Sequence, residues 1–259
     1  MIDVHATIKT DKFKIEYSNS NVTDIVLWES HCHAQFELIG VLEGDISITV
    51  EGKSYRLSDG QAVIVPQLVY HTIRANKKGI YHRVTALFDQ GAIPNVIRHV
   101  FERRNNEVSV FYCARLDELK KVCLQNNSNI YAPLIDSLMT QIFYDDIEST
   151  QTESIASTDE FLQKAIEYID KNLSSKITLD DIAEYTSRSK SSFCHLFEKK
   201  MKISPKQYIL QKRLALASKL ISEGTSPTET AIRIGYENYS NFYRMYMKHF
   251  GKSPSESHK

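Results

Sequence analysis

S-P-T-E-T-A-I-R-I-G-Y-E-N-Y-S-N-F-Y-R-M-Y-M-K-H-F-G-K-S-P, residues 226–254, reads as two short helices joined by a tight turn. Ser226 N-caps the first helix, Pro227 suits its first position, where an N–H has no helical partner, and Glu229 completes a capping box. Ala231 is small where a second helix must cross closely, and Gly235 supplies the positive φ of a sharp helix exit. In the second helix Phe242, Tyr246 and Phe250 recur at four-residue steps and make an apolar face. The other face carries Tyr239, Ser240, Asn241, Tyr243, Arg244 and Lys248, all hydrogen-bonding side chains. Two helices joined in this way form a helix-turn-helix, whose second helix enters the DNA major groove.

A diverged copy lies upstream, T-L-D-D-I-A-E-Y-T-S-R-S-K-S-S-F-C-H-L-F-E-K-K-M-K-I-S-P, residues 178–205. Ala183, Ser187 and Phe197 correspond to Ala231, Gly235 and Tyr246, and Ser204-Pro205 to Ser253-Pro254. The second copy has one extra residue between its small alanine and its aromatic core. Thr178 with Asp181 opens the first motif as a capping box, and Phe193, Leu196 and Phe197 anchor its recognition helix. Lys190, Ser191, Cys194, His195 and Lys199 are left to face outward. The motifs are placed at about 178–200 and 226–250. Between them Ser204-Pro205-Lys206-Gln207 starts a long helix that Gly224 ends, with an apolar face of Leu210, Leu214, Ala217 and Ile221 and with Lys212 and Arg213 opposite. A stiff helix here sets the two recognition helices one DNA turn apart, roughly 34 Å.

The paired motifs closely resemble the DNA-binding domain of the AraC/XylS family of bacterial transcription regulators, over residues 159–259. Ser187 departs from the family, where glycine or cysteine is usual, so that turn is expected to be strained or differently shaped. Ser191, Cys194 and His195 match family positions that contact bases, yet none offers the paired hydrogen bonds by which Arg or Gln reads a base. The first half-site should therefore be read loosely, with phosphate contacts supplying affinity. In the second motif Arg244 suits guanine or a phosphate, Asn241 suits adenine, and the ring of Tyr239 or Tyr243 suits a thymine methyl.

Overall charge is balanced, with 32 basic and 32 acidic residues, but its distribution is not. Residues 159–259 hold 17 Lys and Arg against 12 Asp and Glu, a net of +5; residues 1–158 hold 15 against 20, a net of −5. One half is suited to phosphate and the other is not. No apolar run reaches the ~20 residues of a membrane span, and the N-terminus has no signal-peptide core. The four cysteines, Cys32, Cys113, Cys123 and Cys194, are scattered without a C-x-x-C pair, as expected of reduced packing thiols in a cytoplasmic protein.

Residues 1–90 read as short strands between turns. Residues 22–29, 36–45, 46–50, 62–66 and 80–89 are the strand candidates, with Y-R-L-S-D-G, residues 55–60, running into the Asp59-Gly60 turn, and Ile46, Ile48 and Val50 alternate with period two. Within them His31, His33, Glu37 and Gly44 stand as H-x-H-x(3)-E-x(6)-G, and Gly60, Pro66 and His71 as G-x(5)-P-x(4)-H. This resembles the two cupin motifs, and a cupin-like sensor is the usual N-terminal partner in AraC/XylS regulators. Ile25 and Leu68 replace motif glycines, and Ala75 stands where asparagine is common. Three readings stay open. His31, His33, Glu37 and His71 suit a shell for Zn, Fe, Ni or Mn. With Trp28, Tyr70 and His82 they suit a metal-free pocket for an organic effector, the reading the resemblance favours, with no cofactor. Facing solvent, they bind nothing.

Residues 91–147 suggest helices at 94–104, Leu116–Leu124 and Pro133–Asp145. In the last, Ile135, Leu138, Met139, Ile142 and Phe143 form a helical stripe that must be buried on the barrel or on a second copy of the chain. The resemblance implies a homodimer seam there. Residues 148–158 are polar and aperiodic, a linker ending at Thr158, the expected N-cap of a helix whose face is Leu162, Ala165, Ile166 and Ile169. The expected architecture is a two-domain α+β chain: a cupin-like barrel (1–90), helices (91–147), a linker (148–158) and an all-α domain with two helix-turn-helix motifs (159–259). The function implied is a sequence-specific transcription regulator, an activator bound to promoter DNA and RNA polymerase and answering a small effector. The rival is a metal-dependent cupin enzyme with an attached helical domain.

Overall fold

The structure is a computed structural model that describes residues 4–22, 30–102, 108–149 and 159–257. It has two compact units, one of Met1–Ser30 with Gln35–Ser157, and one of Thr158–Lys259 with which the short segment His31–Ala34 is grouped.

The first unit is built from β1 (Val4–Lys9), β2 (Phe13–Val22), β3 (Phe36–Glu43), β4 (Asp45–Val50), β5 (Lys53–Ser58), β6 (Gln61–Val65), β7 (His71–Ala75), β8 (Gly79–Phe88) and β9 (Val110–Tyr112). They form an antiparallel six-stranded sheet, ordered β1-β2-β8-β3-β6-β9, and a three-stranded sheet, β5-β4-β7. Between the sheets Ile39, Val41, Val63, Val65 and Tyr81 meet Ile46, Ile48, Val50, Leu57 and Ile73. Their sequence neighbours Leu38, Ala62, Ile64, Val84 and Phe88 point the other way, into a second core. The large sheet is thus buried on both faces, which is why Ala62–Val65 reads as a continuous apolar run.

The second core is closed by α1 (Asn95–Glu102), α2 (Leu116–Gln125) and α3 (Ser128–Glu148). Gly40 allows this closure, because a Cβ there would lie 2.2 Å from Leu116 Cδ2. Ile135, Leu138, Met139, Ile142 and Phe143 of α3 are all buried here, Phe143 against Phe13, Phe88 and Phe101. That stripe belongs to the chain's own core and is not available as a dimer seam.

Other expectations change. β1, β2 and β7 were not foreseen, although Phe13, Ile15 and Tyr17 alternate along β2 and are buried. β9 adds a strand within the stretch expected to be helical. Helix α3 starts five residues before Pro133 and continues to Glu148. The strand expected at 22–29 lies outside the described residues beyond Val22, and so does the linker beyond Ser149.

The second unit is α4 (Glu160–Asn172), α5 (Leu179–Tyr185), α6 (Lys190–Met201), α7 (Pro205–Ser222), α8 (Pro227–Arg233), α9 (Tyr239–Phe250) and α10 (Pro254–Ser257). Thr158 lies outside the described residues; Asp159 caps α4 by accepting from the Phe161 N–H. The expected faces of α4 and α7 are buried or partly buried. Lys212 and Arg213 do not stand opposite the core. Lys212 is 2% exposed and paired with Asp170 at 2.9 Å, and Arg213 is half-buried against backbone carbonyls. Among the described residues no helix is long and apolar enough to cross a membrane.

Candidate nucleic-acid interface and sensor cluster

Each motif is two helices around one turn, α5–α6 in the first and α8–α9 in the second. In the first turn the Ser187 N–H donates to Glu184 O (2.9 Å) and the Arg188 N–H to Ala183 O (2.8 Å). In the second the Gly235 N–H donates to Ile232 O (3.0 Å) and the Tyr236 N–H to Ala231 O (2.9 Å). Both are the paired bonds of a Schellman helix end, which needs a left-handed residue. Ser187 at φ +55° and Gly235 at φ +78° provide it. The serine turn therefore has the glycine turn's shape, at the cost of a side chain in left-handed backbone.

The extra residue of the second copy falls within the turn: Ser189 caps α6 two residues after Ser187, whereas Asn238 caps α9 three after Gly235. Helices α6 and α9 are each 12 residues long, and each ends on a left-handed residue, Lys202 or Gly251. Aligned from their first residues, His195 occupies the place of Arg244 and Lys199 that of Lys248. Phe193 and Phe197 are buried under α6, and Phe242 and Tyr246 under α9; Phe250 is partly buried against Tyr246.

The opening caps differ. Thr178 and Asp181 exchange reciprocal bonds, a full capping box. Ser226 accepts from the Glu229 N–H at 3.3 Å, but the Glu229 carboxylate turns to Arg233, so the expected box is half made.

Of the residues assigned to DNA, Lys190, Ser191, His195, Lys199, Tyr239, Ser240, Asn241, Tyr243, Arg244 and Lys248 are exposed and Cys194 is half-buried. Lys190 is tethered to Asp180 at 2.7 Å, which raises its pKa. Arg244 donates to the Asn241 side-chain oxygen, so the two base-reading candidates are joined in the free protein. A contact by either with a base edge must exchange that bond or use the remaining donors of the fork.

The structure brings together ligand atoms of His31, His33, Glu37 and His71, all within 4.8 Å of one another. His71 is buried; its Nδ1 lies 3.0 Å from the Val69 carbonyl and its Nε2 3.0 Å from Glu37 Oε2. A carbonyl only accepts, so Nδ1 carries the hydrogen and Nε2 is turned to the cluster. This is how a ligating histidine is oriented by its outer partner. Three imidazoles and a carboxylate have the donor chemistry of a divalent-cation site, and His31, His33, Glu37 and His71 would hold such an ion after a small contraction of the cluster. Tyr70 is buried beside them in sequence, its hydroxyl donating to Ser30 O. His82 is not part of the cluster. Tyr81 takes the inter-sheet side of β8, and His82 meets Tyr17 and Glu43 on the other. Trp28 lies outside the described residues.

One departure from the cupin pattern resolves as Ser187 does. Leu68 holds φ +61°, the left-handed geometry of the glycine it replaces.

Comparison with known proteins gives a helix-turn-helix domain match over residues 182–259 and a cupin domain match over residues 27–87. The chain is 25% identical to the uncharacterized HTH-type transcriptional regulator YdiP of Escherichia coli K12, over 88% of this chain and 81% of that one. It is 24% identical to the probable transcriptional regulator LumQ of Photobacterium leiognathi, over 96% of each. It is 30% identical to the lactose operon transcription activator of Staphylococcus xylosus, over 51% of this chain and 48% of that one.

Proposed function

Because the chain belongs to the AraC/XylS family of transcription regulators, we propose that α6 and α9 are its two DNA-reading helices and that the barrel unit senses a small effector. The observation that carries this is the repeated turn: two motifs with the same hydrogen bonds each present a recognition helix with an exposed polar face. Arg244 and Asn241 read base edges, with Tyr239, Ser240 and Tyr243 beside them. In α6 Lys190, Ser191, Cys194 and His195 make looser contacts, and Lys199 and Lys248 hold phosphates. Effector binding shifts an equilibrium between protein states that differ in DNA affinity. The chain acts in the cytoplasm and engages RNA polymerase, and its role as an activator is supported by its likeness to the lactose operon activator. Its barrel is a sensor rather than an enzyme, in keeping with full-length relatives named as regulators. A homodimer is supported by Ile130, Leu134 and Tyr144, which stay exposed on the outer side of α3. Genome-wide mapping of bound sites tests the regulator reading: discrete promoter sites are expected, and uniform occupancy would remove it.

The proximity of His31, His33, Glu37 and His71 favours a second reading of the sensor, in which the effector is a divalent cation. Metal analysis of the purified full chain separates the two. Stoichiometric metal that His31→Ala and His71→Ala each abolish supports the cation. A metal-free wild type that is stabilised thermally by an organic metabolite assigns the cluster to that ligand.

A further inference from the structure

Arg213 sits midway along α7, the helix between the two motifs, and its guanidinium is held from three sides. Its Nε donates to the Leu173 carbonyl at 3.1 Å and its Nη2 to the Ser175 carbonyl. Leu173 is the C-cap of α4, and Ser175 follows on the segment leading into α5. Carbonyls at a helix C-terminus lack helical donors and carry the negative end of the helix dipole, so a cation is well placed there. The third side is Tyr236, whose ring centroid is 5.9 Å from the guanidinium carbon. Tyr236 belongs to the second motif's turn and lies edge-on to Phe242, the buried anchor of α9, at 5.8 Å. One continuous line of contacts thus runs from the start of the first motif, through Arg213, to the recognition helix of the second.

Gly235 tightens the same seam. A Cβ at Gly235 would lie 2.9 Å from Ser175 O and 3.0 Å from Arg213 Nη2. The second motif's turn is therefore pressed on the carbonyl that Arg213 binds. The first motif's turn residue, Ser187, is exposed and carries its side chain. The neighbouring Lys212 ties α7 to α4 through Asp170, whereas Arg213 adds the second motif to that connection.

We propose that Arg213 is a positioning residue that sets the register between the two recognition helices, and so the half-site spacing the protein accepts. It touches no base; it acts through the Leu173 and Ser175 carbonyls and Tyr236. The flat fork matters as well as the charge, because two carbonyls and a ring face are met at once, which an ammonium does not do. This inference rests on the two-motif DNA-binding reading.

The test uses full-length protein and a bipartite duplex enriched by the wild type from random DNA, with and without two base pairs inserted between the half-sites. The wild type is expected to lose about tenfold or more in affinity on insertion, since each helix must reach its own groove. Arg213→Met should bind the uninserted duplex about tenfold more weakly and lose roughly threefold or less on insertion, with Arg213→Lys between the two. Variants that keep the wild-type spacing penalty would overturn the proposal. Loss of helical circular dichroism in both variants would also overturn it, by making Arg213 a folding residue. Failure of the wild type to enrich any bipartite sequence would instead remove the DNA-binding reading beneath it.

Discussion

The two helix-turn-helix copies share a backbone and differ in much of what is exposed on it. Their turns close with the same pair of hydrogen bonds, and their recognition helices have equal length. Yet the left-handed position is serine in one and glycine in the other. Aligned from their first residues, Ser191 and Ser240 match, while Lys190, Ser192, Cys194 and His195 of α6 stand against Tyr239, Asn241, Tyr243 and Arg244 of α9. Packing fixes the shape: Phe193 and Phe197, or Phe242 and Tyr246, can be buried only if the turn bends in one way. Chemistry on the outer face is under no such constraint, and there the copies have diverged. The turn residue is glycine where a neighbour presses on it, at Gly235, and serine where the turn faces solvent, at Ser187.

The largest expected effect comes from putting a side chain where the copies differ most. Gly235→Ala combines left-handed strain with a clash on the Ser175 carbonyl, and should cost about 2–4 kcal/mol of stability in denaturant unfolding. Ser187→Ala should cost less than about 0.5 kcal/mol, since that turn already carries a Cβ; equal costs would erase the distinction between the turns. Arg244→Ala should weaken specific DNA binding by about 1–3 kcal/mol if it reads a base, and His195→Ala by less than about 1 kcal/mol. If Arg244 only clamps phosphate, titrations at several salt concentrations will instead show uniform weakening on all sequences and a salt slope lower by about one.

Smaller effects follow at the turn and the cap. Ser187→Gly relieves the left-handed backbone and should stabilise the second unit by roughly 0.5–1 kcal/mol, read as a higher melting temperature. Hydrogen bonds from the Thr178 hydroxyl and backbone hold the Asp181 carboxyl below its ordinary value. Its contribution is therefore present above about pH 4 and lost as pH falls through the depressed folded value. Asp181→Asn should flatten that part of the acid unfolding curve.

The helical half was readable because its signals are local. Thr178, Ser204 and Ser226 cap the helices they were expected to cap, and the apolar faces of α4, α7 and α9 follow the helical period. What misled there was charge. Lys212 and Arg213 look like surface residues in sequence, but their partners Asp170, Leu173 and Tyr236 lie far along the chain. The barrel half was less readable because its pairings are long-range. Strand β9 is three residues long and gains its place only by pairing with β6. Strand β2 carried a period-two signal at Phe13, Ile15 and Tyr17, and the turn-rich reading passed over it. The residues of the histidine motif, His31, His33, Glu37 and His71, lie together, whereas His82 lies apart because one step along a strand reverses the face. Leu68 and Ser187 share a lesson: a missing motif glycine does not mean a missing motif geometry.

Two like-shaped motifs with unlike outer faces should read DNA unequally. Selection of binding sites from random DNA by the wild-type protein tests it most directly. A bipartite site is expected whose halves lie about one helical turn apart, one strongly specified and one loosely. Halves of equal information content, or a site with a single undivided element, would contradict it.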